Sequence, residues 1–223
     1  MIIRDLRTIF DVRIMVGVFI ALALALALLL WMLLHRPGWW SSAGDRSSAS
    51  AAIGAGLEQA VSREITMVRE PGEWGFVLGE EDINAWLVNR LEPWLQSRRN
   101  LAFPEGLSDP RIRLGDDWVE VGLIAEQAGL SLFTSARFEL RLENDDLVLL
   151  PIDGRLAFKM FDREALAYLE DHVLGDVDGE IDSSSDGLRV PAVITLADGR
   201  RVILTDLEMA AGELGVRFRT LGP

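Results

Sequence analysis

The chain has 223 residues, no cysteine and a formal net charge of −13. That length suits one domain with an appendage, and the missing cysteines exclude disulfides and thiolate metal sites. Removing Arg4, Arg7, Arg13, Arg36, Asp5 and Asp11 leaves 18 basic and 33 acidic residues in 37–223, a net charge of −15. Nucleic-acid binders present basic surfaces, so the balance argues against a nucleic-acid partner.

Residues 14–34, "IMVGVFIALALALALLLWMLL", contain no charged side chain. Twenty-one residues at a helical rise of ~1.5 Å span roughly 31 Å, the hydrocarbon thickness of a bilayer. Arg4, Arg7 and Arg13 precede the run and only Arg36 follows closely, so the arginine bias puts the N-terminus in the cytoplasm. The run exceeds the ~7–15 apolar residues of a signal peptide, which favours an uncleaved anchor. Trp31, Trp39 and Trp40 fall where indoles favour the outer membrane interface. The organisation expected is a cytoplasmic 1–13, a transmembrane helix 14–34, a flexible tether 35–52 and an extracytoplasmic domain 53–223. The bacterial plasma membrane is the expected location and the lipid bilayer the first partner.

The tether is expected from its Ser, Gly and Ala content. Ile53, Leu57 and Val61 recur at helical spacing and predict a short helix over 53–62. "EITMV" at 64–68 reads as a strand ended by Pro71-Gly72. A strand then closes at Val77 and Leu78. Gly79 follows as N-cap, and Glu80, Glu81 and Asp82 fill the first turn of a helix, where the dipole favours negative charge. Ile83, Leu87, Val88 and Leu91 form one apolar stripe, and Asn84 falls inside it. Pro93 ends or kinks the helix and suits the first turn of another.

From residue 109 the pattern is mostly extended. "RIRL", "GDD" and "WVEVGLIAE" read as a hairpin. In 130–142, Leu130, Leu132, Ala136, Phe138, Leu140 and Leu142 alternate with Ser131, Ser135, Arg137, Glu139 and Arg141, which predicts an unusually long strand. "NDD" reverses the chain. Leu147 and Leu149 then alternate with Val148, Leu150 and Ile152, apolar on both sides, so both faces are expected to be covered. "DREALAYLEDHVL" predicts a second helix, and Asp198-Gly199 marks a two-residue hairpin turn before "RRVILTDLEMA" and "ELGVRFRTL". The fold class is α+β: a long-stranded, curved antiparallel sheet of about six or seven strands with two or three helices on one side.

Signs of chemistry are sparse. The two histidines are His35 and His172. Asp171 and His172 point about 100° apart on a helix, so they do not compose a triad. The acidic loop "DVDGEIDSSSDG" offers Asp176, Asp178 and Asp182 to a metal. With Gly179 at the sixth position of a calcium loop, the first and twelfth become Leu174 and Ser185, where carboxylates are required. An exposed acidic loop is the better reading. No cofactor is expected, and the protein reads as non-enzymatic.

Asn84 is the residue with two readings. A buried amide must be bonded or it costs roughly 1–3 kcal/mol. It either fastens the helix to a neighbouring strand or meets a ligand head group. "FVLGEEDINAWLVNRL" resembles a pattern of the YpmS-type family of single-pass bacterial envelope proteins. The residues that carry it are Glu81, Asp82, Ile83, Asn84, Ala85, Trp86 and Leu87, while Gly79 stands where such proteins often have serine. The resemblance implies an anchored extracytoplasmic α+β domain that handles lipid or helps envelope assembly. The expectation is an apolar ligand held between sheet and helices by Asn84, Leu87, Leu91, Phe138, Leu140, Leu150 and Phe161. The alternative is a structural module that docks envelope proteins.

Overall fold

The computed structural model describes residues 20, 22–25, 27–28, 35–42, 46–99, 103–127, 129–155, 182–184, 187–196 and 198–221. The expected membrane span 14–34 lies largely outside the described residues, as do Trp31, the expected helix over 162–174 and most of the acidic loop. Among the described residues no helix is long and apolar enough to cross a membrane.

The class is α+β, with two antiparallel sheets in place of the single sheet expected. β1 (Gly72–Gly79) pairs with the last strand, β10 (Glu213–Leu221), which pairs with β9 (Arg201–Ala210) and then β8 (Val193–Thr195). The second sheet has six strands among the described residues. Its order is β2 (Leu107–Leu114), β3 (Val119–Gln127), β4 (Leu130–Glu143), β5 (Asp146–Arg155), β7 (Gly187–Pro191) and β6 (Asp182–Ser184).

The division occurs at Ala192. Its N–H donates to Asp145 O at 2.8 Å on the six-stranded side, and its carbonyl accepts from Leu204 N at 2.8 Å on the other. Pro191 has no N–H to continue a ladder, and the buried Ala192 is small enough to turn the corner. One residue thus passes the chain between sheets, which the alternation of side chains does not disclose.

β4 is as long as its alternation predicts, at 14 residues. Its register against β5 shifts between Arg137 and Phe138, the local insertion by which long strands bend. The β4–β5 turn holds Asn144 and Asp145 at φ 52° and 68°, the left-handed pair of a tight hairpin. A hairpin also forms at Asp198-Gly199, with Gly199 at φ 82°, but Leu196 N donates to Arg200 O at 2.8 Å, so three residues and not the expected two lie between the closing pair.

The helices differ more from expectation. α1 (Gly38–Ser42) and the start of α2 (Ser48–Thr66) lie within the stretch expected as a flexible tether. α2 starts at 48 because Ser47 Oγ accepts from Ser50 N at 3.2 Å, an N-cap. It also runs through Glu64–Thr66, so the strand expected over 64–68 is absent. Arg200, almost fully buried, donates to Met67 O at 3.0 Å and Thr66 O at 3.5 Å and closes the helix end. Ser50, inside the expected tether, is buried and accepts from Asn89 Nδ2 at 3.0 Å; just beyond the tether, a Cβ on Gly54 would lie 2.7 Å from Ala85 O, so α2 crosses the next helix at main-chain contact.

That next helix is α3 (Glu80–Asn89), followed after Arg90 by α4 (Leu91–Arg99) with Pro93 in its first turn. α3 sits against β2 and β1. Trp40, expected at the membrane interface, is 2% exposed and packs with Ile124 and Phe133.

Candidate functional site

The buried amide in the opening turn of α3 explains itself once the sheet order is known. β2 is an edge strand, so alternate N–H and C=O groups point away from β3. Asn84 is 0% exposed. Its Nδ2 donates to Ile112 O at 2.8 Å and its Oδ1 accepts from Ile112 N at 2.7 Å. The side chain thus substitutes for a neighbouring strand at one residue. Glu80, one turn earlier on the same face of α3, accepts from Leu114 N through Oε2 at 2.7 Å. Gly212, at φ 85° in the β9–β10 turn, donates to Leu114 O at 3.2 Å and accepts from Glu80 N at 2.8 Å. Helix, edge strand and a turn of the other sheet meet in this seam, and every outward main-chain group of Ile112 and Leu114 is bonded.

Asn84 therefore faces no ligand: its amide is consumed inside the fold. The other residues expected to line a ligand site do not converge. Leu87 and Leu91 border a cleft of about 210 Å³ with Val88, Phe103, Pro104 and Leu107. Asp109, at φ 55°, and Pro110 form its far wall at the irregular register of β2 against β3. Phe138 and Leu140 share one face of β4. Leu150 pairs with Glu139 and so lies on the opposite face. Phe161 lies outside the described residues, as do Asp176 and Asp178. Asp182 opens β6 opposite Arg189. Among the described residues no group of three or more His, Cys, Asp or Glu side chains is placed to hold a metal.

A second concavity was not expected. It is an open trough of about 490 Å³ over the outer face of the four-stranded sheet. Gly75 and Gly215 form its floor, Val77 one wall, and Glu73, Asp206, Glu208 and Arg217 its rim. The two glycines have different causes. A Cβ on Gly75 would lie 2.4 Å from Val216 O, so the close passage of β10 forbids a side chain there. A Cβ on Gly215 would meet nothing nearer than 3.4 Å, an ordinary contact. The fold does not require Gly215, and its missing side chain is what leaves the trough open. The rim ion pairs are long, 3.5 Å for Arg217 with Asp206 and 3.8 Å with Glu208, and solvent-exposed, so they are weak and easily exchanged. Among the described residues β1, beside the trough, is an edge strand.

A sequence signal for the trough exists in hindsight. "GEWGFVLG" and "ELGVRFRTL" each place a glycine among alternating apolar residues, and a glycine inside a strand marks close approach or an opened surface.

On the opposite face of this sheet, Trp74 stacks on Phe218 at 4.8 Å, Phe76 lies 5.8 Å from Phe218, and the Arg69 guanidinium covers Trp74 at 4.2 Å. In the six-stranded sheet the buried carboxylate of Glu120 accepts from Ser135 Oγ at 2.8 Å and lies 3.5 Å from Arg137 Nε, a buried nitrogen with an ion-pair contact but no hydrogen-bond partner. Asp198 is held below the usual carboxylate range by the Arg200 side chain, which donates to it at 2.7 Å, and by the Arg200 backbone N–H.

The fold and these surfaces define a two-sheet α+β body with a bonded seam, a small cleft of mixed polar and apolar lining and an open trough. Compared with known protein families, curated proteins and solved structures, the chain matches none.

Proposed function

We propose that the protein is a single-pass, plasma-membrane-anchored envelope protein with an extracytoplasmic body that docks a partner protein in an assembly role. The sequence supports the anchor through its uncharged run at 14–34 and flanking arginines. The observation that carries the docking reading is the trough whose floor stays open at Gly215 although the fold tolerates a side chain there. The occupant is an extended peptide segment laid beside β1, an edge strand whose outward main-chain groups can pair with it. Such a segment presents an apolar side chain to the 63%-exposed Val77 and a basic one to Asp206 and Glu208. The basic group displaces Arg217 from its long ion pairs.

A photo-crosslinking residue at Val77 tests this in living cells. The expected result is one defined protein adduct that Gly215→Leu removes while thermal stability stays unchanged. An adduct indifferent to Gly215→Leu, or lipid in its place, contradicts the reading.

The second reading, an apolar ligand such as a lipid, would place it in the cleft at Leu87 and Leu91, where Arg46, Glu92, Glu105 and Asp109 also line the wall and weigh against it. The cleft volume of about 210 Å³ falls below the ~300–1,000 Å³ of small-molecule pockets. It suits a chain end or one side chain better than a whole acyl chain. The resemblance around Asn84 is compatible with either reading, because Asn84 serves the seam in both.

A further inference from the structure

The Trp39–Trp40 pair sits between two parts of the chain with opposite demands. Before it runs the sequence expected to span a bilayer, ending at Leu34; after it stands the folded body. Trp40 lies on the bare surface of Gly122, where a Cβ would fall 2.7 Å from its ring and 3.0 Å from Phe133 and Trp39. Trp40 and Phe133 meet edge to face at 4.9 Å, and Trp39 closes the group at 5.5 Å from Trp40 and 6.0 Å from Phe133. Arg111, itself 8% exposed, donates from Nη1 to Trp40 O at 3.0 Å and lies 5.2 Å from the indole centre. Asp109 anchors that guanidinium at 3.3 Å. These contacts fix both the ring and the main chain of Trp40 against β2, β3 and β4.

We infer that this clasp holds the folded body against the outer surface of the membrane, with the β3–β4 region at the lipid headgroups. The inference rests on the anchored reading above. Four residues, His35 to Gly38, separate Leu34 from Trp39. Four extended residues and the first steps of α1 reach at most about 17 Å. The headgroup layer takes up several ångströms of that, since it adds roughly 5–8 Å outside the hydrocarbon on each side. A tether free through residue 52 would instead stretch to about 60 Å. The clasp removes that slack, so contact with lipid follows from chain length and needs no attraction between this acidic body and anionic headgroups. Pro37 stiffens the short connection.

The cysteine-free chain allows a clean distance test. Ser131 is exposed on β4, on the same face as Phe133 and about 7 Å along the strand from it. A bimane on Ser131→Cys, in the full chain reconstituted into phosphatidylcholine vesicles with headgroup-nitroxide lipid, reports proximity to the surface. Resistance of the reconstituted chain to alkaline washing tests the anchor separately; a chain that washes off ends both the anchored reading and this inference. In a retained chain, inserting about twelve Gly/Ser residues between Pro37 and Gly38 adds roughly 20 Å of mean reach. Such an insertion leaves the clasp intact and is expected to cut the quenching by at least about half, because the body is then free to leave the headgroups. Trp40→Ala should do the same by releasing the clasp. Quenching that survives the insertion undiminished overturns the inference, because the body would then be held at the membrane by something other than the short connection.

Discussion

The seam at the edge of the six-stranded sheet and the trough over the four-stranded sheet meet the same problem in opposite ways. Both lie beside an edge strand. At β2 each outward group of Ile112 and Leu114 is taken up by Asn84, Glu80 or Gly212, and nothing remains for a partner at those two residues. Among the described residues, β1 ends its sheet next to a concavity floored by Gly75 and Gly215, where a Cβ at Gly215 would meet only ordinary contacts. A fold closes an edge that it must protect and leaves open one that it uses. The polar residue in an apolar stripe was therefore the structural feature, and the unremarkable glycine marks the candidate site.

The largest expected effect lies in the seam. Asn84→Leu orphans a buried N–H and a buried carbonyl at Ile112, which costs roughly 2–5 kcal/mol. Urea denaturation of the domain should show that loss, and a change below about 1 kcal/mol would remove the seam from the account. Gly54→Val comes next. Its branched side chain must push α2 off Ala85, at about 1–3 kcal/mol. Gly56 lies in the same helix with nothing within 4 Å of a Cβ, so Gly56→Ala should stabilise by about 0.5–1 kcal/mol. The opposite signs of these two changes separate close packing from helix propensity. Arg200→Ala leaves the carbonyls of Thr66 and Met67 without their donor and should cost about 1–2 kcal/mol, with increased amide exchange at the end of α2.

A pH titration sharpens that last point. Asp198 has its carboxyl depressed by Arg200. Its contribution is therefore present above the ordinary carboxylate pKa and is lost as pH falls through the lower folded value. Wild type should exceed Asp198→Asn in melting temperature at neutral pH, and the two should converge in acid. The smallest stability effect belongs to the trough: Gly215→Leu should change unfolding free energy by no more than about 0.5 kcal/mol. A large loss there would mean that the glycine serves the fold and not a partner.

Much of the sheet was legible in the sequence because period-two alternation and turn chemistry are local signals. The long β4, the Asn144-Asp145 reversal and the Asp198-Gly199 hairpin all follow from neighbours in the chain. The partition into two sheets did not, because it depends on β1 meeting β10 from the far end of the chain and on one corner residue, Ala192. The tether was misjudged for a related reason. Serine, glycine and alanine signal flexibility only when nothing packs on them; here Ser50 is buried and accepts from Asn89 of α3 at 3.0 Å, and Trp40 packs on the floor of Gly122 far along the chain. Asn84 could be identified as important from its place on the stripe. Which of its two roles it plays depended on the strand edge opposite, which no local pattern discloses.

The docking account is tested most directly by native mass spectrometry of the full chain released gently from its own membrane. The account predicts a complex with a protein partner that Gly215→Leu dissociates, and no stoichiometric lipid on the body. A chain that carries one bound lipid and no protein, unaltered by Gly215→Leu, would contradict it.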